Sequence, residues 1–324
     1  INLALSTGAT STSDAVATIT KNLGSIANKG VEFVFDADLI RKDNLRWNLG
    51  FNTTYLKNKI ISLPEQNRAN GIISGTKRYI EGHGIYDFWM YQFAGVDQMT
   101  GKSLYQPDLD KYYIGTPVEG KTAFPSQNLV QIGDKNYSTY TTYAKKDWSG
   151  SAMPDLFGSF STKLTYKSFD LSMLFTYSIG GKTLDNSYMS LMSATANPSS
   201  LHKDLLKSWN GVPAGMTETS ADRVIANGIP AINYEQSTYN NATSSRFLID
   251  ASYLVVKNIS LSYTLPSRLV NKLDLSGFSI SASVDNLATF TKLQGMNPQQ
   301  SFTGINDNGF VTARVFSIGL NIKL

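Results

Sequence analysis

The chain has 324 residues, with 29 Lys and Arg against 25 Asp and Glu, two histidines and no cysteine. A net charge of +4 with no standout basic cluster argues against nucleic-acid binding, and the lack of thiols excludes disulfide scaffolds, zinc–thiolate sites and thiol nucleophiles. Charged residues make up only 17% and aromatics reach 11%, yet no stretch approaches the roughly 20 apolar residues of a membrane helix, so a helical membrane protein is excluded as well.

Period-two alternation begins at once. Residues 1–6 alternate like a strand, with no initiator Met and no signal-peptide core, so we expect a mature or cut piece of a longer chain. Next, Val31, Phe33, Phe35, Ala37 and Leu39 share one face, while Glu32, Val34, Asp36 and Asp38 share the other. After a polar turn at 41–44 the pattern resumes, with Leu45, Trp47, Leu49 and Phe51 opposite Arg46, Asn48, Gly50 and Asn52, which predicts an antiparallel hairpin. Residues 157–166 and 169–177 repeat the device around a turn at 167–168. Further alternating runs cover 259–265, 278–284 and 316–324, giving eight strand candidates in all.

Runs of about 9 to 13 residues suit a tilted membrane strand better than the ~5 to 6 of a soluble one. The connections at 41–44, 167–168 and 266–276 are short; those at 7–28, 57–155, 180–250 and 288–308 are long. Short turns alternating with long loops is the pattern of an outer-membrane barrel. With the C-terminus in the periplasm, every long connection falls outside. The same parity keeps residues 86–94 out of the wall and in an outer loop, in a small hairpin. Trp47, Tyr55, Tyr166, Tyr177 and Tyr263 lie near run ends, where amphipathic rings mark the membrane interface. The competing architecture is a secreted or surface-attached β-sandwich that binds carbohydrate. A repeat protein would need self-similarity at a fixed period, which the sequence lacks.

Several stretches, in order, resemble one family. They are NLGSIANKGVE at 22–32, WNLGFN at 47–52 with NKI at 58–60, FAGVDQMTG at 93–101, MPDLFG at 153–158, YLVVKNISLSYTLP at 253–266, SVDNLATFTK at 283–292 and RVFSIGLNIKL at 314–324. Each alone is weak; the ordered set resembles the C-terminal third of SusC/RagA-type TonB-linked outer-membrane transporters. That family usually closes on Phe, whereas this chain closes on Leu324. The resemblance implies an all-β, antiparallel transmembrane barrel, with residues 1–324 as its C-terminal section, about eight strands here and long extracellular loops. Transporters of this kind have about 22 strands and a plugged lumen, so the plug and the earlier strands would lie outside this chain. It also implies a bacterial outer-membrane location with a periplasmic C-terminus, and TonB acting through the missing plug. A SusD-like surface lipoprotein would be the partner, with import of an oligosaccharide or peptide from outside. A metal-chelate receptor of the wider TonB-dependent class is the alternative within that group.

Enzyme chemistry finds little support. Glu32, Asp36 and Asp38 resemble paired catalytic acids only loosely and fit better as lumen lining, together with Arg46, Asn48 and Asn52. His83 and His202 fall in outer loops without a nucleophile elbow. Residues 180–183, Gly-Gly-Lys-Thr, lack the first glycine of a P-loop. Asp97 with Thr100 and Gly101, or Asp108 with Asp110, complete no calcium loop and read as solvated turn acids. No cofactor, metal or catalytic residue is expected. The functional signal is the density of outer-loop aromatics, notably Tyr86, Trp89, Tyr91, Tyr112, Tyr113 and Trp148, suited to contact with a partner or substrate as well as to loop packing. Residues 191–192 and 201–209 read as short helices that anchor the second loop.

Overall fold

The computed structural model describes residues 2–8, 18–194, 199–293, 295–299, 303–306 and 309–323. Eight strands form one antiparallel sheet: β1 (Asn2–Gly8), β2 (Thr18–Lys42), β3 (Leu45–Ser62), β4 (Leu156–Tyr166), β5 (Phe169–Ile179), β6 (Tyr253–Thr264), β7 (Gly277–Thr291) and β8 (Val315–Lys323). Spatial order equals chain order, each strand pairing with the next. Two-residue turns at 43–44 and 167–168 leave neighbouring strands no option but to pair, and Lys167 reaches φ +53° to close the second. A longer turn between β6 and β7 holds the helix Ser267–Val270.

All eight predicted strands are present, and four of them, β2, β3, β6 and β7, run well beyond the alternation. The first long connection, read as 7–28, shrinks because β2 begins at Thr18, and β3 continues to Ser62. Polar residues there hide the strand from hydrophobic periodicity, but backbone pairing continues. The Asn58 amide donates to Asn28 at 2.6 Å, and the Ser25 and Ser62 hydroxyls meet at 2.8 Å. Ile1, the 9–17 connection and Leu324 lie outside the described residues.

Register gives the sheet two unlike faces. One cross-strand row reads Ile40, Trp47, Leu164, Leu171, Leu261, Ala282, Ile318; a row on the other face reads Asp38, Asn48, Lys163, Ser172, Ser260, Ser283, Ser317. Leu39 does not join the first row, because a bulge between Asp38 and Ile40 makes it the extra residue. A sandwich would bury the apolar face under a second sheet, yet Phe33 is 54% exposed, Phe35 46% and Ile318 84%. The sandwich reading therefore fails. β4 has 11 residues; ten steps of roughly 3.3 Å at a ~40° tilt span ~25 Å, the height of a barrel's apolar band. Trp47, Tyr166 and Tyr263 border its turn end, and Tyr55 and Tyr177 its loop end. Gly158 lies opposite Tyr177, whose ring stacks on Phe51 and whose hydroxyl donates to the Asn52 carbonyl at 3.2 Å. A Cβ at Gly158 would sit 2.1 Å from that carbonyl oxygen, so the close approach requires glycine.

The buried core lies in the loops. Phe88 and Met90 from the first long loop pack with Leu184, Met192, Leu205 and Phe247 from the second. Small sheets knit the layer: Asp87–Tyr91 pairs with Lys146–Ser151, and Phe93–Asp97 pairs with Val224–Ile225 of the other loop. The stretch 86–94 thus stays out of the wall, and its first strand pairs locally with Lys77–Tyr79 on one edge and with Lys146–Ser151, some sixty residues on, at the other. The expected helices of the second loop appear as Asn186–Leu191 and a 3-10 turn, Lys203–Lys207. Met192 and Leu205 are the buried anchors.

Candidate functional site

The six residues expected to line a lumen share the polar face. Glu32 faces Thr54, Arg46 faces Arg41, and Asn52 faces Val34. The Asn48 amide donates to Asp36 at 3.1 Å and to Asp38 at 3.2 Å, and the Asn52 amide donates to the Ser159 hydroxyl at 2.7 Å. The two carboxylates are tied along one strand by an amide, which suits a polar lining better than an acid–base pair. Ser172, Ser260, Ser283 and Ser317 extend this face. Sequence reasoning missed their role, because a single serine between apolar residues gains meaning only once register aligns four of them.

At the loop end of the polar face lies a cavity of about 550 Å³. Asn28, Asn58, Phe157 and Tyr253 line it from the wall, and Tyr86 and Lys182 from the loops. The Asn58 side-chain oxygen accepts the Ile85 N–H at 2.9 Å, fixing the roof to the wall. Lys182 is held by the Ser149 carbonyl at 2.8 Å. The cavity has the size of a small-ligand pocket, with an apolar body and a few polar groups at its edge.

The other aromatic candidates gather into two clusters. Trp89 and Trp148 are cross-strand partners 5.0 Å apart; Arg78 covers Trp89 and His83 stacks on Trp148 at 3.6 Å. Lys146 lies 4.6 Å from the Tyr91 ring. Tyr112 packs edge-on against Phe124 and Tyr143, and Tyr113 pairs with Ala123 in a short parallel bridge. All six candidates are half-buried: each has packed area, and each keeps a surface for contact.

Asp97 is no solvated turn acid. It is fully buried, and Arg223 of the other long loop grips both carboxylate oxygens, at 2.8 and 3.1 Å. The Met99 N–H and Thr100 hydroxyl also donate to it. Burial pushes its pKa up, but the guanidinium and these donors outweigh that and hold the carboxyl below its ordinary value. With its charge already met by Arg223, the site offers a calcium ion nothing, and no cluster of metal-ligating residues occurs among the described residues. Beside it, the Trp209 indole donates to the Gln98 carbonyl at 2.8 Å and its ring fills the space over Gly101, where a Cβ would clash at 2.4 Å. Lys77 is buried over the Phe88 ring, donates to the Tyr86 carbonyl at 2.7 Å, and is pulled by desolvation to a pKa of about 7.

The remaining motifs are structural. Gly180 and Gly181 take φ of +79° and +75° in the turn after β5. The His202 imidazole accepts the Asp204 N–H at 3.1 Å and starts a 3-10 turn.

No family model matches the chain. "TonB-dependent receptor P3" of Formosa agariphila is 28% identical over 94% of this chain and 29% of its own length. "TonB-dependent receptor SusC" of Bacteroides thetaiotaomicron is 25% identical over 95% of this chain and 27% of its own. The chain therefore spans a little under a third of the curated relatives it matches. Among solved structures, the RagAB peptide transporter superposes with a TM-score of 0.72 at 20% identity, covering 95% of this chain and 30% of that one. The same transporter in its "closed-closed" state gives 0.66. In sequence the chain is thus similar to a section of SusC/RagA-type TonB-dependent receptors, and in fold to a section of a transporter barrel.

Proposed function

We propose that this chain supplies part of the wall and the outer loop layer of a TonB-dependent importer of the bacterial outer membrane. The observation that carries the reading is the two-faced wall: one continuous apolar row, one continuous hydroxyl-rich row, and a folded layer at the loop end. Such a wall suits lipid on one side and an aqueous lumen on the other. In this reading the periplasmic turns are short, the C-terminus is periplasmic, and TonB acts on a plug outside this chain. A SusD-like lipoprotein caps the loop layer, with Tyr86, Trp89, Tyr91, Tyr112, Tyr113 and Trp148 as contact candidates. The substrate is an oligosaccharide or a peptide that passes the 550 Å³ cavity into the lumen lined by Glu32, Asp36, Asp38, Arg46, Asn48 and Asn52. Deleting the gene that encodes the full-length protein tests this. Growth on an oligosaccharide or oligopeptide as sole source should fail, and restoring the gene without TonB should not rescue it. A growth defect confined to scarce iron would replace the reading with that of a metal-chelate receptor.

A further inference from the structure

Three lysines from two neighbouring strands meet on the apolar face. Lys29 of β2 and Lys57 of β3 are direct cross-strand partners, and Lys59 follows opposite Ala27. All three are exposed. Among the described residues, none forms an ion pair. The acid that acts on Lys57, Asp155, lies beyond ion-pair distance. Like charges directly opposite each other destabilise a strand pair, and side chains so placed start only ~5 Å apart. Lys57 lies over the Tyr55 ring at 5.6 Å, but among the described residues no carboxylate pairs with this cluster, which leaves it open to an anion from outside.

Position indicates which anion. The next cross-strand pair toward the apolar band is Val31 with Tyr55, followed by Phe33 with Thr53 and Phe35 with Phe51. The lysines therefore project from the lipid-facing side one step beyond an interfacial tyrosine, at the depth of lipid phosphates and at the loop end of the wall. With the loops outside, that end meets the outer leaflet. We infer that Lys29, Lys57 and Lys59 form a binding site for the phosphate groups of a phosphorylated glycolipid of the outer leaflet, of the lipid A type. The inference rests on the proposed orientation.

The test uses the full-length transporter in detergent and in phosphatidylethanolamine vesicles. The probes are bis-phosphorylated lipid A, the same lipid dephosphorylated, and phosphatidylglycerol, with retained lipid measured by native mass spectrometry. Native protein should retain the bis-phosphorylated lipid in preference to the other two. The triple variant Lys29→Gln/Lys57→Gln/Lys59→Gln should retain it about a hundredfold less, at about fivefold per lysine. The triple Lys→Arg variant should retain it fully, since guanidinium also pairs with phosphate. Equal retention by native and Gln variants overturns the site, and so does equal retention of the dephosphorylated lipid. Retention of phosphatidylglycerol to the same degree overturns the assignment to the outer-leaflet glycolipid. Flotation with the vesicles reports barrel insertion separately, so failure of the lipid site is not confused with failure of the barrel reading.

Discussion

The Asp97–Arg223 pair should be the strongest single fastening between the two long loops. Asp97 has no exposure and the Arg223 side chain 8%, so neither charge is solvated when its partner is gone. Replacing Asp97 with Ala removes two charge-assisted hydrogen bonds from Arg223 and leaves a buried, unpaired guanidinium. Breaking a buried pair from one side costs ~3–5 kcal/mol. The contacts that cross the same seam, Phe93–Asp97 with Val224–Ile225 and Trp209 with Gln98, should open with it. Limited proteolysis of the membrane-inserted protein reads this directly, since the wall supplies an uncut internal reference. Cleavage between 200 and 230 should rise by roughly a hundredfold to a few thousandfold. The exposed control Glu119→Ala should do nothing, and Asp97→Leu with Arg223→Met should restore near-native protection, because an apolar pair of similar volume removes both charges together. Acidity gives a second readout. The folded carboxyl has its pKa lowered, so its contribution is present above the ordinary carboxylate value of ~3.9 and is lost as pH falls through the lower folded value. Protection should therefore hold from pH 5 to 8. If Asp97→Ala is cut no faster than Glu119→Ala, the fastening argument is wrong.

Three further outcomes are expected. Leu49→Arg, on the apolar face, should cost ~2–4 kcal/mol in urea refolding into vesicles, and Asn48→Arg, on the polar face, much less; equal costs would reject the assignment of faces. Lys77 has a folded pKa of about 7 against an unfolded 10.5. Between those values the unfolded state binds the extra proton, so loop-layer stability should rise with pH by up to ~1.4 kcal/mol per unit, and Lys77→Met should flatten that rise in tryptophan-fluorescence melts. Trp89→Ala with Tyr91→Ala should leave the heat-modifiable barrel intact while weakening co-purification of the lipoprotein; an unfolded double mutant would make these rings loop core alone.

The wall was legible because its code is local: alternation at Phe33, Phe35, Leu49 and Phe51 fixes faces, and short turns fix neighbours. Strand ends were not, since Asn28 and Asn58 pair as strand while reading as polar loop. The loop layer was legible only as aromatic density. Its fastening joins Asp97 to Arg223, 126 positions away, and no periodicity connects such residues. The cation-covered Trp89–Trp148 pair depends in the same way on a strand pairing between residues 87–91 and 146–151. Lys29 and Lys57 look unremarkable in sequence and become opposed like charges only through the β2–β3 register.

Because these 324 residues hold no cysteine, single cysteines placed in them, with any cysteine elsewhere in the full-length protein changed to Ser, measure the central claim directly: that the loop layer lies outside the cell and the short turns lie in the periplasm. Single cysteines placed at Glu119 in the loop layer, Asp43 in the first short turn and Phe35 on the apolar face can be treated with a membrane-impermeant maleimide on living cells. The account predicts that Glu119→Cys labels in intact cells, Asp43→Cys labels only after the outer membrane is permeabilised, and Phe35→Cys resists in both states until detergent strips the lipid. Labelling of Asp43→Cys in intact cells as fast as Glu119→Cys would contradict it.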